Sequence, residues 1–108
     1  MKYHAIYCIF VVMQSLEEIK LFLLKNKSLL ADRFKVKTIG LFGSLVRGDF
    51  NDESDIDILV DFREPVGIEF IDLADFLEFN FKRKVDLVSI NGLKGHYKKI
   101  VEQEVQYV

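Results

Sequence analysis

The stretch GSLVRGDFNDESDID, residues 43–57, decides how this 108-residue chain is interpreted. It begins with Gly43 and Ser44, continues through ten mainly polar positions, and ends with Asp55 and Asp57 on either side of Ile56. Aspartate is uncommon in β-strands, and residues at i and i+2 of a strand point to the same side of the sheet. The pattern therefore predicts a glycine turn and two neighbouring carboxylates at one edge of a sheet.

Strands are predicted on both sides of this loop. VKTIGLF, residues 36–42, is apolar, contains β-branched residues and ends at the glycine turn. A third strand, KVDLVSI at residues 84–90, carries Asp86 between apolar neighbours. DIDILVDF, residues 55–62, alternates between two faces, one with Ile56, Ile58, Val60 and Phe62 and the other with Asp55, Asp57, Leu59 and Asp61.

Helices are predicted around these strands. The sequence SLEE, residues 15–18, is a capping box at the start of a helix expected from about Leu16 to Arg33. Apolar residues at helical spacing predict another helix around residues 70–81. A last helix is predicted from a stripe formed by Leu93, Tyr97, Ile100, Val101, Val105 and Val108. We therefore expect an α/β (α+β) fold, a small mixed β-sheet flanked by helices, as one domain over residues 15–108.

Residues 1–14 are predicted to be an N-terminal extension of this domain. The apolar run AIYCIFVVM, residues 5–13, is shorter than the roughly 20 residues that a membrane helix needs, so no membrane partner is expected. The run suits an added β-strand or a partner-docking tail. Alternatively, natural translation starts at Met13, and the first twelve residues are an upstream extension.

Charge and cysteine content exclude several classes of function. The chain has 15 Lys and Arg residues against 17 Asp and Glu residues, a net charge of −2, and no long run of like charges. Direct binding to nucleic acid is therefore disfavoured. The single cysteine, Cys8, cannot form an intramolecular disulfide or a cysteine-based zinc site, which fits a cytoplasmic location.

The aspartates of the second and third strands indicate a metal-dependent site. If these strands are neighbours, Asp86 lies beside Asp55 and Asp57, and two like charges about 4 Å apart cost about 4 kcal/mol at an effective dielectric constant near 20. A divalent cation removes this repulsion, and carboxylate oxygens suit Mg²⁺. Two ions about 3.5–4 Å apart would hold the attacking and leaving oxygens of a phosphoryl transfer. We therefore predict Asp55, Asp57 and Asp86 as catalytic and metal-binding residues.

A phosphate site is predicted at the glycine turn. A strand that ends in glycine lets a ligand approach the backbone closely, and amides of the following turn bind anions. Gly43 and the hydroxyl of Ser44 are candidates for this role, and Arg47 could add a guanidinium contact to a phosphate.

The arrangement of Gly-Ser, ten residues and Asp-x-Asp resembles the signature of the nucleotidyltransferase superfamily related to DNA polymerase β. Residues from about Met13 to Val108, including the later VDLV, resemble the minimal nucleotidyltransferase (MNT) proteins. The resemblance implies a compact α/β unit that transfers a nucleoside monophosphate from a triphosphate to an acceptor hydroxyl with Mg²⁺. It also implies that Asp55, Asp57 and Asp86 bind metal and that Asp86 helps to deprotonate the nucleophile. Gly43 and Ser44 would hold the β and γ phosphates.

The same resemblance implies a partner. MNT proteins are antitoxins of small helical HEPN ribonuclease toxins, so we expect AMP transfer from ATP to a tyrosine of a cognate HEPN-type toxin, in a homo- or hetero-oligomer. Val46 departs from the alanine that many MNT proteins have at this position. Two alternatives stay open: an antitoxin that only covers its partner's active site, and a transferase with a small-molecule acceptor such as an aminoglycoside.

Simpler interpretations exist for the same residues. Asp55 and Asp57 could belong to a solvent-facing acidic strand, and Asp86 could pair with a nearby lysine. Ser44 could merely cap a turn. Arg47 could pair on the surface with Asp49 or Asp52.

Overall fold

Five α-helices, four β-strands and a short 3-10 turn form the part of the chain that the structure, a computed structural model, describes. It describes residues 15–108, so the predicted extension, with its added strand or docking tail, lies outside the described residues. In chain order the elements are α1 (Leu16–Lys25), α2 (Lys27–Phe34), β1 (Val36–Phe42), α3 (Ser44–Arg47), β2 (Ile56–Phe62), α4 (Ile68–Phe81), β3 (Val85–Ser89), the 3-10 turn (Ile90–Gly92), α5 (Gly95–Glu104) and β4 (Gln106–Tyr107).

The four strands form one mixed sheet in the order β3-β2-β1-β4. β1 is antiparallel to both β2 and β4, whereas β2 and β3 are parallel and are joined through α4. The end of β1 and the beginnings of β2 and β3 therefore meet at the same edge of the sheet. The predicted fold class, a small mixed sheet flanked by helices, is confirmed.

The alternation in β2 divides the core into two parts. One face of β2 carries Ile56, Ile58 and Val60, which are fully buried in the larger cluster together with residues from α1, α2 and α4. The other face carries Leu59, which packs with Phe42 and with Leu93 and Val101 from the region of α5. Asp57 lies on this second face, next to α5, because it is one position out of phase with the three buried residues.

The single helix predicted from Leu16 to Arg33 is wrong, because two helices occupy this region. Ser15 caps the first helix as predicted, its hydroxyl accepting a bond from the backbone N–H of Glu18 at 3.1 Å. Asn26 ends it, since both its backbone N–H and its side-chain amide donate to the carbonyl of Phe22, at 3.1 and 2.8 Å. A side chain that bonds to the preceding turn competes with continuation of a helix.

The last predicted helix is also too long. α5 ends at Glu104, and the chain continues as the short strand β4, in which Gln106 and Tyr107 pair with Leu41 and Gly40. The crossing is close, since a Cβ on Gly40 would lie 2.7 Å from Cγ2 of Val105. The apolar stripe through Val105 and Val108 therefore reflects packing on the sheet, not helix. No helix among residues 15–108 has the length and apolar character required to span a membrane.

Candidate active site

Gly43 joins β1 to α3 at the centre of the candidate site. Its φ of 76° lies in the region that favours glycine. Phe42 pairs with Asp57 in the antiparallel register, so the backbone of Gly43 lies against the Asp57 side chain. A Cβ on Gly43 would overlap Oδ2 of Asp57 and would lie 2.9 Å from its Cγ. Both the backbone conformation and the space therefore require glycine at this position.

Asp57 and Asp86 are direct neighbours across the parallel strands. The register pairs Asp57 of β2 with Asp86 of β3, and Ile56 with Val85. Asp55 immediately precedes β2, where the backbone N–H of Ile56 donates to the carbonyl of Lys84 at 2.9 Å. The sheet thus gathers the three predicted aspartates at its edge. Asp86 is exposed to solvent, while the other two aspartates are half-buried.

The surroundings of Asp57 raise the pKa of its carboxyl group to about 6. Burial is the largest cause, and the negative charges of Asp86 and Asp55 act in the same direction, whereas the charge of Arg47 opposes them. Burial and like charges both disfavour the ionised carboxylate. The ionised cluster is therefore strained by repulsion at neutral pH. Within residues 15–108 no three acidic, histidine or cysteine side chains are arranged to hold a metal ion as they stand.

The predicted phosphate-binding residues lie on the turn beside this cluster. Ser44 begins α3, whose first turn is closed by bonds from the backbone N–H groups of Val46 and Arg47 to the carbonyl of Gly43, at 3.1 and 3.0 Å. The Arg47 guanidinium is half-exposed and lies 3.8 Å from Asp49 through its Nε. The surface pair proposed for Arg47 thus exists, but it is the longer of that residue's two ion pairs.

The shorter ion pair of Arg47 is with Glu104, at the end of α5. Its Oε1 accepts a bond from Nη1 of Arg47 at 2.8 Å, and its Oε2 accepts a bond from the backbone N–H of Gly43 at 3.1 Å. The bond to Glu104 is the main reason why the pKa of Arg47 is raised. Glu104 was not identified from the sequence, because 61 positions separate it from Gly43 and no local pattern connects the two.

The comparison with known families decides the assignment. The sequence profile of the nucleotidyltransferase domain family matches residues 11–108, nearly the whole chain. The chain belongs to the nucleotidyltransferase family. A relative from Thermococcus cleftensis, the protein adenylyltransferase MntA, is 46% identical over 99 residues, which cover 91% of this chain and 100% of the relative. The identification made from the Gly-Ser and Asp-x-Asp signature is confirmed, and this chain is a nucleotidyltransferase enzyme.

Solved structures of nucleotidyltransferases share the fold. A minimal nucleotidyltransferase is 31% identical with a TM-score of 0.73, and the match covers 85% of this chain and 94% of that one. A toxin-antitoxin structure with AMP-PNP is 30% identical, with a TM-score of 0.65 and coverage of 78% and 69%. A complex of tri-AMPylated Shewanella oneidensis HEPN toxin with MNT antitoxin is 27% identical, with a TM-score of 0.58 and coverage of 82% and 70%.

Arg83 is a further residue of this nucleotidyltransferase that the sequence did not single out. Its Nη2 donates to the carbonyls of Asn51 and Ser54, at 2.6 and 2.8 Å, and its guanidinium lies 4.4 Å from the centre of the Phe50 ring. These contacts fasten the loop that precedes Asp55 to the chain segment that precedes β3. Arg83 therefore positions both strand starts that carry the aspartates of the nucleotidyltransferase site.

Tyr97 lies at the rim of the same site. It precedes Glu104 by seven positions on α5, which places the two residues on one side of the helix. Burial is the main cause that raises the pKa of its phenol, and the charges of Asp57, Asp86 and Glu104 contribute. Tyr97 is half-exposed and therefore lies where the acidic cluster of the nucleotidyltransferase opens to solvent.

Proposed function

We propose that this nucleotidyltransferase is an antitoxin that transfers AMP from ATP, with Mg²⁺, to a tyrosine hydroxyl of a cognate HEPN-type toxin. The observation that carries the proposal is the in-register pair Asp57 and Asp86 beside the Gly43 turn. The similarity to the adenylyltransferase MntA and to an MNT antitoxin in complex with an AMPylated HEPN toxin supports the acceptor. The similarity to a toxin-antitoxin structure with AMP-PNP supports a nucleoside triphosphate as donor.

The acidic residues fit Mg²⁺. Asp55, Asp57 and Asp86 present hard oxygen donors at one sheet edge. Burial and the charges of the other two aspartates raise the pKa of Asp57, and a bound cation would offset both effects. When bound there, Mg²⁺ would offset the charge of the triphosphate and polarise the phosphorus that is attacked. The three carboxylates are the residues that would hold it.

The glycine turn would bind the leaving part of the triphosphate. The backbone N–H of Gly43 and the guanidinium of Arg47 already converge on one carboxylate, that of Glu104, so their geometry suits an oxyanion. The hydroxyl of Ser44 adjoins them at the start of α3. These donors would hold the β and γ phosphates and stabilise the pyrophosphate that leaves.

The acceptor would approach from the open side of the cluster. Asp86 is exposed, so a tyrosine of a partner protein can reach its carboxylate. In the transfer the tyrosine oxygen bonds to the α phosphorus, the bond from that phosphorus to the bridging oxygen breaks, and pyrophosphate leaves. The phenolic proton passes to the Asp86 carboxylate, which acts as general base. The predicted cytoplasmic location fits this role and stays a prediction.

Label transfer tests this function. The purified chain is incubated with its cognate HEPN-type protein, Mg²⁺ and ATP labelled at the α phosphate, and we expect label on a tyrosine of the partner. Asp57→Asn should abolish labelling, whereas Asp61→Asn, a change on the same face of β2 farther from the turn, should not. Asp61 is half-buried, like Asp57, and is therefore a matched control.

The other outcomes identify the alternatives. Neutralisation of the toxin by the Asp57→Asn variant without any labelling would contradict the transfer mechanism and favour an antitoxin that only covers its partner. Label in a small-molecule fraction, and none on the protein, would support nucleotidyl transfer but contradict a protein as the acceptor.

A further inference from the structure

We propose that Glu104 is an internal substitute for a phosphate group, which must leave Gly43 and Arg47 when the triphosphate binds and thereby sets the affinity for the nucleotide. The inference rests on the proposed function, because that function assigns these two donors to the phosphates. In addition to that function, Glu104 opposes phosphate binding and so limits the affinity of the site for the nucleotide.

The geometry of the contact resembles that of a bound oxyanion. The two oxygens of one carboxylate are shared between two donors, with Oε2 at 3.1 Å from the Gly43 nitrogen and Oε1 at 2.8 Å from Nη1 of Arg47. A backbone amide has one hydrogen to donate. A phosphate oxygen and Oε2 of Glu104 therefore cannot both take the full bond from Gly43.

The negative charge of Glu104 also weakens phosphate binding. The Glu104 side chain is only 14% exposed and lies near Asp57, since it bonds to the backbone of Gly43, which lies against the Asp57 carboxylate. Its charge therefore adds to the negative potential that an incoming triphosphate meets. Like charges at close range in a partly buried site repel. If Glu104 stayed in place, it would weaken phosphate binding both by occupying the donors and by repulsion.

The backbone around Glu104 is fixed, so the side chain can move alone. Glu104 is the last residue of α5, and the next residue, Val105, donates its N–H to the carbonyl of Val101 at 2.9 Å. The chain then enters β4, where Gln106 pairs with Leu41. A rotation about side-chain bonds releases the carboxylate without unfolding the helix. Arg47 keeps Asp49 as a second partner at 3.8 Å.

A structural role for Glu104 predicts the opposite result. If Glu104 only oriented Arg47 and the Gly43 turn for catalysis, removal of its charge would loosen these donors and weaken phosphate binding. If Glu104 competes with phosphate, the same change strengthens binding. The sign of the change in affinity therefore separates the two roles.

Calorimetric titration of the full chain with inorganic tripolyphosphate, ATP and adenosine tests this sign. We expect Glu104→Gln to bind tripolyphosphate and ATP about tenfold more tightly than the unchanged protein, about 1.4 kcal/mol, with no change for adenosine. Glu104→Ala should shift affinity in the same direction. Glu102→Gln is the matched control, because Glu102 is exposed on the same helix and should leave all three affinities unchanged.

The outcomes keep this inference apart from the proposed function. Binding of tripolyphosphate and ATP by the unchanged protein, with equal or weaker binding by both Glu104 variants, would overturn the inference alone. Failure of the unchanged protein and of all variants to bind either ligand would overturn the phosphate site itself, and with it both proposals. Thermal unfolding of each variant, measured in parallel, confirms that a folded protein was titrated.

Discussion

The backbone of Gly43 lies against the carboxylate of Asp57 so closely that no side-chain carbon fits between them. The antiparallel pairing of Phe42 with Asp57 produces this contact, and the φ of 76° at Gly43 turns the chain away immediately afterwards. The Gly43 turn and the acidic cluster are therefore parts of one arrangement. A change on either side of the contact is expected to affect the other.

Gly43→Ala is expected to remove transferase activity. The new methyl group would displace the Asp57 carboxylate, and the left-handed backbone would add a strain of about 1–3 kcal/mol. Gly48→Ala is the matched control, because Gly48 has a φ of 93° but nothing within 4 Å of its would-be Cβ. Denaturant unfolding should show a loss of stability in both variants. Label transfer should be lost in Gly43→Ala alone, and equal activity of the two would contradict the role of this contact.

Asp57→Asn is expected to stabilise the metal-free protein at neutral pH. The folded state raises the Asp57 pKa from 3.8 to about 6, so the native protein holds a proton that the unfolded chain releases between these values. Stability therefore falls as pH rises through this window. One pKa unit corresponds to about 1.4 kcal/mol, and solvent screening of this half-buried carboxylate reduces the expected gain at pH 7 to about 1–2 kcal/mol.

The measurement is denaturant unfolding at pH 4 and pH 7 in the presence of a chelator. The gain from Asp57→Asn should be large at pH 7 and small at pH 4, where the folded protein holds the proton and a large fraction of the unfolded chains hold it too. Asp61→Asn, measured in parallel, is the control for changing a carboxylate to an amide on the same face of β2. A gain of equal size at both pH values would mean that packing, and not charge, is the cause.

Magnesium binding is expected to weaken at acidic pH. Protons and Mg²⁺ compete for the Asp57 carboxylate, whose pKa of about 6 makes this competition strong just below neutrality. Titration calorimetry should show an affinity that increases from pH 5 to pH 7. In the Asp57→Asn variant the affinity should be lower and depend less on pH. An affinity that does not change with pH in the unchanged protein would place the metal elsewhere.

Arg83→Ala is expected to loosen the loop before Asp55. The change removes two bonds to the Asn51 and Ser54 carbonyls and the contact with Phe50. Hydrogen bonds from a charged group contribute about 1.5–3 kcal/mol each, and partial exposure lowers the expected loss of stability to about 1–2 kcal/mol. Amide hydrogen exchange should accelerate in residues 49–55 and activity should require more Mg²⁺. Lys84→Ala, a neighbouring exposed residue, is the control; unchanged exchange in Arg83→Ala would contradict this role.

Much of the site could be predicted because short sequence patterns determine the positions of its residues. The i and i+2 spacing placed Asp55 and Asp57 on one face, and the matching apolar neighbours of Asp86 placed it in the adjacent strand. The strand predicted at residues 36–42 has the bounds found in the structure, Val36–Phe42. Each of these features depends on side-chain alternation within a few residues, which a sequence displays directly.

The features that were missed depend on tertiary contacts. β4 has only two residues, too few to show a period, and its position follows from the close crossing over Gly40. The interruption between α1 and α2 at Asn26 depends on a side-chain hydrogen bond, which the spacing of apolar residues does not indicate. Glu104 is at the end of a helix, and its contact with Gly43 is made by the fold and not by any neighbouring sequence pattern.

The parallel pairing of β2 with β3 determines when the active site forms during folding. These strands are joined through α4, so they meet only after a long crossover has closed, and such non-local pairings form late in folding. Asp57 and Asp86 therefore remain apart in a partly folded chain. Catalytic competence should arrive in a single step with the completed sheet, and newly made or damaged chains should be inert rather than partly active.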